Sequence, residues 1–370
     1  MWHRVERRRC SNGFAPFPLS NKRFRQCGTG VASASSRRIQ RARSDNSGLF
    51  QTAAAAADAI VSLGARYDTL EPWIKILAAH APAYLAKREV SADVDLDLRI
   101  LPGLLAAYVH RRTADPLAAC LADVAEGLLD QPQARSQRIL LGSFAIYLLW
   151  TGQLDRLDRT MAKIDRMCQS DDMAASTRLR WYGIGVLIRS LRGLIDEALS
   201  DARAALVVAT GQPAMMAKAH LLMVLAALAA RDAGLARTHL NEATSLVAPS
   251  SPIDVTTYEF QRSLLALLDG NWILAHRLMR AARESARECG WPLRENIALI
   301  GVAMTATQTG EFAEAAAALA EARAQPFYAV CKFHHWIAGL VHADMADQRG
   351  DLPECLNALR QAFADRKSVV

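Results

Sequence analysis

The sequence lacks the short motifs that indicate the common enzyme classes. It contains no G-x-x-x-x-G-K-[ST] phosphate loop, no G-x-G-x-x-G after a strand pattern, no H-E-x-x-H pair and no G-x-S-x-G turn. Gly142-Ser143 lies in an apolar helical stretch, where a serine is usually a small packing residue rather than a nucleophile. We therefore predict that the chain is not an enzyme, has no catalytic residues and needs no cofactor.

Aromatic residues and long apolar runs are also scarce. Aromatics make up 6% of the chain, and no uninterrupted apolar run reaches the roughly 18–20 residues that cross a bilayer. The seven cysteines are scattered and have no C-x-x-C spacing, so we expect reduced thiols rather than a disulfide framework. Alanine and leucine dominate an apolar fraction of 51%, which is typical of helical proteins. We expect a cytoplasmic protein without a membrane partner.

Acidic residues are nearly absent from residues 1–47, which hold eleven Lys and Arg against Glu6 and Asp45. This segment carries a charge of +9, whereas the rest of the chain has 33 basic and 35 acidic residues. The chain after residue 47 therefore lacks the excess of basic residues that is typical of nucleic-acid-binding proteins. Residues 1–47 also lack a helical period, which predicts a basic disordered tail. Other readings stay open: an organellar targeting segment, an arm that binds nucleic acid or anionic lipid, or a wrongly assigned start or gene remnant.

A repeat of about 40 residues organises most of the remaining chain. In most copies a glycine is followed by a large apolar residue at +2, a small one at +5 and apolar ones at +9 and +12, with Leu157, Ala236 and His239 as exceptions. These offsets share one helix face, and a glycine can take the left-handed conformation that ends a helix. Each copy therefore predicts a helix–turn–helix hairpin. The glycines, separated by 41, 41, 36, 40 and 40 residues, are Gly152, Gly193, Gly234, Gly270, Gly310 and Gly350.

The pattern divides the chain into three segments. Residues 136–366 carry the six hairpins, residues 48–135 form helical hairpins without the glycine pattern, and residues 1–47 form the tail. The middle segment consists of degenerate repeats or of the join to a further upstream domain. Pro82 is expected to break a helix or to begin one. The four predicted helices of this segment are Phe50–Leu63, Tyr67–Lys87, Asp93–Arg112 and Pro116–Leu129.

The clearest copies, G-E-F-A-E-A-A-A-A-L-A-E-A from Gly310 and G-L-I-D-E-A-L-S-D-A-R-A-A from Gly193, resemble the tetratricopeptide pattern. Their period is nearer 40 than the usual value of about 34. Such long units, and especially Leu140–Ile164, are similar to the helical-repeat region of MalT-like bacterial transcriptional regulators. The similarity covers roughly residues 95–365. It implies an all-α, right-handed solenoid of helical hairpins.

The same resemblance implies a non-enzymatic sensor or protein-interaction scaffold that lacks the ATPase and DNA-binding modules of that family. Its expected partner is a protein or peptide, or other domains of the same regulator. The alternative is a nucleic-acid-binding protein that acts through the basic tail of residues 1–47.

In the resembled repeats, the residues 13, 10, 6 and 3 positions before the glycine line the concave surface. Most of these residues are apolar in this chain, which suits an amphipathic helix of a partner or another part of the same polypeptide. A different superhelical register would instead place them in the core. The candidate partner-binding residues at these positions are Arg180, Ser190, Arg231, Thr257, Phe260, Thr307, Asp344 and Asp347.

One group of ligand-type side chains occurs near the end of the chain. Cys331 and His335 are four residues apart on one helix face, with His334, Asp344 and Asp347 nearby. A metal site needs further convergent ligands, and the adjacent histidines point in different directions. We predict packing or capping roles for this group and no metal site.

For His239 and for the acidic pairs of the second helices, we predict structural roles rather than catalytic ones. His239 is expected to be satisfied by a backbone carbonyl rather than to act in catalysis. Acidic pairs such as Glu311 and Glu314 are expected on the solvated faces of second helices, because paired catalytic carboxylates need a cleft.

Overall fold

The computed structural model describes residues 46–90, 94–129, 134–168, 173–248 and 250–366, so the predicted tail lies almost entirely outside the described residues. Within these ranges the regular structure consists of sixteen α-helices and a 3-10 turn at Tyr67–Leu70, without a strand. The helices are α1 (Asn46–Leu63), α2 (Glu71–Val90), α3 (Val94–Arg111), α4 (Pro116–Leu128), α5 (Ala134–Thr151), α6 (Leu154–Cys168), α7 (Ala175–Arg192), α8 (Ile195–Ala209), α9 (Pro213–Ala229), α10 (Ala233–Leu246), α11 (Pro252–Leu268), α12 (Trp272–Cys289), α13 (Pro292–Thr309), α14 (Phe312–Ala324), α15 (Lys332–Gln348) and α16 (Leu352–Arg366).

The helices pack in chain order as eight hairpins, numbered 1 to 8 from α1/α2 to α15/α16. The first helices of neighbouring hairpins contact one another, as α5 does with α7, α7 with α9, and α9 with α11. The two N-terminal hairpins have the same arrangement, because α1 contacts α3 and α3 contacts α5. The predicted all-α solenoid of helical hairpins is confirmed. Among the described helices, none combines the length and the apolar character that a membrane crossing requires.

Five of the six predicted glycines end the first helix of their hairpin in the left-handed conformation. At Gly310 the backbone N–H groups of Gly310 and Glu311 donate to the carbonyls of Thr307 and Ala306, at 3.1 and 2.8 Å. This pattern satisfies carbonyls that would otherwise be left open at the helix end. The five glycines and their φ values are Gly152 (71°), Gly193 (76°), Gly270 (71°), Gly310 (84°) and Gly350 (78°).

The prediction that Gly234 ends a helix is wrong by three residues. Gly234 lies inside α10, and Arg231 is the residue with positive φ, at 59°. The Asp232 side chain caps α10 by accepting a hydrogen bond from the Leu235 N–H at 2.9 Å, so the turn needs no glycine. Counted from Arg231, the glycine spacings become 41, 38, 39, 40 and 40 residues. The residues at +5, +9 and +12 are then the buried Ala236, Leu240 and Ala243, which removes the exception at +5, whereas the residue at +2 is still small, Ala233.

Pro82 lies inside α2, so the expectation of a break or a start at this position is wrong. A proline removes only its own N–H from the helix and crowds the carbonyl four residues earlier. Leu77, Ala81 and Tyr84 around it are buried in the core, and this packing holds the helix together across the proline.

The early hairpins contact the late ones across the inside of the solenoid. Helix α3 contacts α13, and α5 contacts α15. The ring of Trp150 on α5 lies 6.3 Å from that of Phe333 and 6.1 Å from that of His334, between centroids. Buried Phe327 and Cys331, just before α15, belong to the same apolar core as hairpins 1 to 3. The inner face is therefore partly covered by the chain itself.

The turn geometry predicts opposite effects for the same substitution at two glycines. We expect Gly310→Ala to lower the free energy of unfolding by about 1 kcal/mol, because φ of 84° is unfavourable for a residue with a Cβ atom. The matched change Gly127→Ala should raise it by up to about 1 kcal/mol, because Gly127 lies in helix α4. At both positions the new Cβ would meet open space. Urea unfolding followed by circular dichroism checks both values, and effects of the same sign would contradict this account.

Candidate functional site

The ends of α1 and α3 lie against the beginnings of later first helices on the inner face. Arg180 on α7 donates from Nη1 to the Ser62 Oγ at 3.1 Å. Arg111 at the end of α3 donates from Nη1 to the Gly290 carbonyl at 2.8 Å. A Cβ atom at Gly64 would lie 3.9 Å from the Lys218 Nζ at the start of α9. Another part of the same polypeptide thus occupies this part of the inner face, which we call the inner junction.

Arg294 on α13 brings a positive charge into the inner junction. Its guanidinium carbon lies 4.4 Å from the ring centroid of Phe260 and 4.8 Å from that of Trp291, which is cation–π geometry. Among the described residues, its buried Nε has no hydrogen-bond partner. Burial lowers the pKa of Arg294 to about 10, so the group remains protonated at neutral pH. The aromatic faces therefore take the place of a carboxylate partner.

Two neutral rings fill the inner junction beside these cations. The Tyr67 ring lies 4.9 Å from that of His110 and 5.6 Å from that of Trp291, between centroids. Burial, together with the positive charge of Arg180, lowers the pKa of His110 to about 3. Burial also raises the pKa of the Tyr67 hydroxyl. Both side chains are uncharged at neutral pH, which lets them pack in an apolar environment beside Arg180 and Arg294.

The structure brings three of the eight candidate binding residues to the inner junction or next to it. Arg180 contacts the end of α1, and Phe260 is buried beneath Arg294. Thr257 lies one turn before Phe260, and its hydroxyl donates to the Ile253 carbonyl at 2.8 Å. Of these three residues, Arg180 contacts the chain's own N-terminal hairpins, through Ser62.

The other five candidates do not join them. Thr307 is fully buried and donates to the Ala303 carbonyl at 2.9 Å, whereas Arg231 is the turn residue before α10. Ser190 is half-buried, and its Oγ has no hydrogen-bond partner in the described part of the chain. Asp344 accepts a hydrogen bond from the Gln308 Nε2 at 2.6 Å, and Asp347 is exposed at the end of α15. The eight residues are therefore spread along the solenoid and form no single site.

The shifted turn in hairpin 5 changes which residues occupy the inner face. Counted from Arg231, the residues 13, 6 and 3 positions earlier are Lys218, Leu225 and Leu228. Alignment of the hairpin on Gly234 missed Lys218 and Leu225 and assigned Leu228 to a different position of the inner face. The signal that could have found them is Asp232, a helix-capping residue directly before the second helix of the hairpin.

With this register, the same inner-face position carries an apolar side chain in five successive hairpins. The residues six positions before each turn lie on the same helix face as Arg180 and Phe260, one or two turns farther along. All are half-buried, although the residues beside them are mostly buried. In hairpin 8 the equivalent residue is Asp344, so the row ends at an acidic group. We call these residues the inner apolar row: Ile146, Leu187, Leu225, Leu264 and Met304.

The group near Cys331 is held by separate contacts. Cys331 is buried, and burial raises the pKa of its thiol to about 12. The His334 Nδ1 lies 2.6 Å from the Asn296 Oδ1, and the His335 Nε2 lies 2.6 Å from the Tyr328 carbonyl oxygen. These partners satisfy each ring individually and do not converge on one point.

His239 has a different partner from the one expected. Its Nδ1 lies 2.9 Å from the Nδ1 of His220, so the contact joins two side chains and not a side chain and a carbonyl. Burial lowers the pKa of both rings. One neutral ring can donate to the other, which explains the pair without a ligand.

A surface depression of about 450 Å³ lies between α6, α7 and α8. Its central cation, Arg189, donates to Asp165 at 2.6 Å and also pairs with Asp201. Because both carboxylates are already engaged by this guanidinium, the depression offers no free charged group for a ligand.

Comparison with protein-family models and with curated proteins finds no match for this chain.

Proposed function

We propose that the protein is a non-enzymatic interaction scaffold whose inner apolar row receives an amphipathic helix. The inner apolar row is the observation that carries the proposal, because five successive hairpins each present one half-buried apolar side chain on the same face. Helix-in-groove recognition uses such spaced apolar contacts. By its resemblance to MalT-like regulators, the scaffold acts in the cytoplasm as a sensor element in transcriptional control.

The charge distribution supports a defined orientation of the bound helix. Asp344 and Asp347 lie at the hairpin 8 end of the inner apolar row, and Asp347 is exposed. Arg180 and Lys218 lie toward hairpins 4 and 5. A helix with an apolar face and a basic end would pair that end with hairpin 8, because opposite charges set register and orientation.

Site-specific photo-crosslinking tests the proposal. A photoreactive residue at Leu225 or Leu264 should capture, in cells of the source organism, a segment with an amphipathic helical pattern. The matched control is Ile273, which is 79% exposed on α12 and should give no crosslink to that segment. With the captured segment as a peptide, Leu264→Glu should weaken binding about 30-fold, and Ile273→Glu should have little effect. Equal effects of both variants, or ATP hydrolysis by the purified chain, would contradict the proposal.

The basic tail supports a second candidate function, binding to nucleic acid. Residues 1–47 hold eleven Lys and Arg against two acidic residues. Such binding rests on phosphate contacts, so it should weaken steeply with salt. Deleting residues 1–47 should then abolish salt-sensitive binding to DNA or RNA. Binding that survives the deletion, or that is absent from the full chain, would reject this candidate.

A further inference from the structure

Three ligand-type side chains meet where hairpin 6 contacts hairpin 7. His276 lies on α12, Glu311 precedes α14, and Glu314 lies in the first turn of α14. One donor atom from each residue lies within 4.8 Å of the other two. The His276 Nε2 is 3.4 Å from the Glu314 Oε2. The two glutamates thus share a histidine contributed by the preceding hairpin, 35 residues earlier in the chain.

Thr305 on α13 sets the orientation of the His276 ring. The Thr305 hydroxyl donates to the Gly301 carbonyl at 2.9 Å, and the Val302 carbonyl is also within reach at 3.0 Å. The hydroxyl proton is therefore committed, and the Thr305 Oγ1 accepts from the His276 Nδ1–H at 2.9 Å. This contact places the proton of the neutral ring on Nδ1 and the lone pair on Nε2.

The Nε2 lone pair faces the carboxylates from a buried ring. His276 is 9% exposed, and its Nε2 is buried without a hydrogen-bond partner among the described residues. A lone pair on nitrogen and a carboxylate oxygen 3.4 Å away repel each other unless a cation stands between them. The cation is either a proton on Nε2 or a metal ion that both atoms bind.

We propose that His276, Glu311 and Glu314 form a binding site for a divalent transition metal ion of the Zn²⁺ class. Imidazole nitrogen with carboxylate oxygen is a donor set that such ions take. An ion about 2.1 Å from each donor needs donors about 3.3 Å apart, which the His276–Glu314 pair already provides. Glu311 is exposed and can complete the set by a change of rotamer. Three protein donors leave a coordination position for water.

The charges around the site fit this assignment. Glu314 uses its other oxygen, Oε1, toward the Arg280 Nη1 at 3.7 Å, which leaves Oε2 for the metal. The hydrogen bond from His276 to Thr305 is the outer contact that commonly orients a metal-binding histidine. Binding would connect hairpins 6 and 7 and stabilise their stacking by mass action.

The test is Zn²⁺ titration of the full chain after removal of metals with a chelator. We expect one ion per chain by calorimetry, and a visible spectrum of low coordination number when Co²⁺ replaces Zn²⁺. Glu311→Gln, a change at an exposed residue that should leave folding intact, should weaken binding by at least about tenfold. His276→Gln should weaken it further.

A second histidine–glutamate pair provides the matched control. The His342 Nε2 lies 3.4 Å from the Glu354 Oε1, but no third ligand-type group joins that pair among the described residues. His342→Gln should therefore leave Zn²⁺ affinity unchanged. The proposal is overturned if the wild-type chain binds no stoichiometric metal, which would indicate a protonated His276 paired with Glu314. It is equally overturned if Glu311→Gln and His276→Gln bind like the wild type.

Discussion

Gly103→Ala is expected to lower the free energy of unfolding by more than about 3 kcal/mol, the upper end of the usual cost of overpacking. Gly103 lies in α3, where α1 crosses it at close range. A Cβ atom at this position would overlap the carbonyl oxygen of Ala54 and lie 2.5 Å from its carbonyl carbon. Both obstructing atoms belong to the backbone of α1, so no side-chain rotation relieves the overlap. The helices would have to separate, and α3 is buried along most of its length.

The matched control for this substitution is Gly183→Ala on α7. There a new Cβ atom would meet the Leu222 methyl groups at 3.5 and 3.6 Å, which is ordinary van der Waals contact. Because alanine favours a helix more than glycine does, we expect a change between zero and a gain of about 1 kcal/mol. Urea unfolding of both variants measures the difference. Similar losses at Gly103 and Gly183 would mean that glycine in these helices matters for a reason other than close packing.

The close approach of α1 and α3 at Gly103 explains how the first two described hairpins pack together. Hairpin 1 has a glycine turn like those of the later hairpins, at Gly64 with φ of 66°, whereas the turn of hairpin 2 contains no residue with positive φ. Helices α1 and α3 of these hairpins make the tight contact that a small residue permits. Ala53, Ala54 and Ala57 on α1 are completely buried, so the alanine-rich stretch packs closely against its neighbours. The sequence indicated this stretch as a helix, but its partner could not be identified because nothing periodic links Ala54 to Gly103.

The glycine pattern predicted the turns of the hairpins well. It failed in hairpin 5, where a residue other than glycine has positive φ. Glycine is the usual residue at positive φ, and five of the six predicted positions have that conformation. Arg231 takes the sixth, helped by the Asp232 cap, and this shifted the predicted inner-face residues by three positions. The same shift changed the candidate site, because Arg231 was assigned to the position that Leu228 occupies, and Lys218 was missed.

The inner junction could not be predicted from the repeat pattern. Its contacts join residues far apart in the chain, such as Arg111 with Gly290 and Arg180 with Ser62. A repeat pattern describes how each hairpin packs on the next, but the curvature that brings distant hairpins together is a sum of small rotations. The contact between His276 and Glu314 also could not be predicted, although it joins neighbouring hairpins. In the sequence, each residue resembles an ordinary polar residue on a helix surface.

Acidification from pH 7 to pH 5 is expected to remove about 2 kcal/mol of stability through His334 alone, and about as much again through His110. His334 is buried beside Trp150 and Phe327, where desolvation and then the positive charge of Arg294 lower its pKa to about 3. Its hydrogen bond also requires the neutral ring to donate from Nδ1. The Asn296 Nδ2 donates to the Ala322 carbonyl and the Gln325 Oε1, so the Asn296 Oδ1 must accept from His334.

The direction of this pH effect depends on how many protons the folded and the unfolded chain bind. A histidine titrates near pH 6.5 in the unfolded chain, whereas His334 and His110 titrate near pH 3 in the folded one. Between these values the unfolded state binds more protons, so stability falls as the pH falls from 6.5 toward 3. Buried carboxylates act in the opposite direction, because burial raises the pKa of Asp58, Glu259 and Glu295 and folding then favours their protonated forms. A comparison of variants is needed to separate the two effects.

His334→Gln isolates the contribution of one ring. The variant loses stability at pH 7, since the contact with Asn296 is disturbed, but its loss between pH 7 and pH 5 should be smaller than that of the wild type by about 2 kcal/mol. His110→Gln should reduce the loss by a similar amount, and the two reductions should add, because the rings have different partners, Tyr67 for His110 and Asn296 for His334. Urea unfolding at the two pH values gives each difference directly. If His334→Gln and the wild type lose the same stability on acidification, then His334 is not held neutral by the packing of α5 against α15.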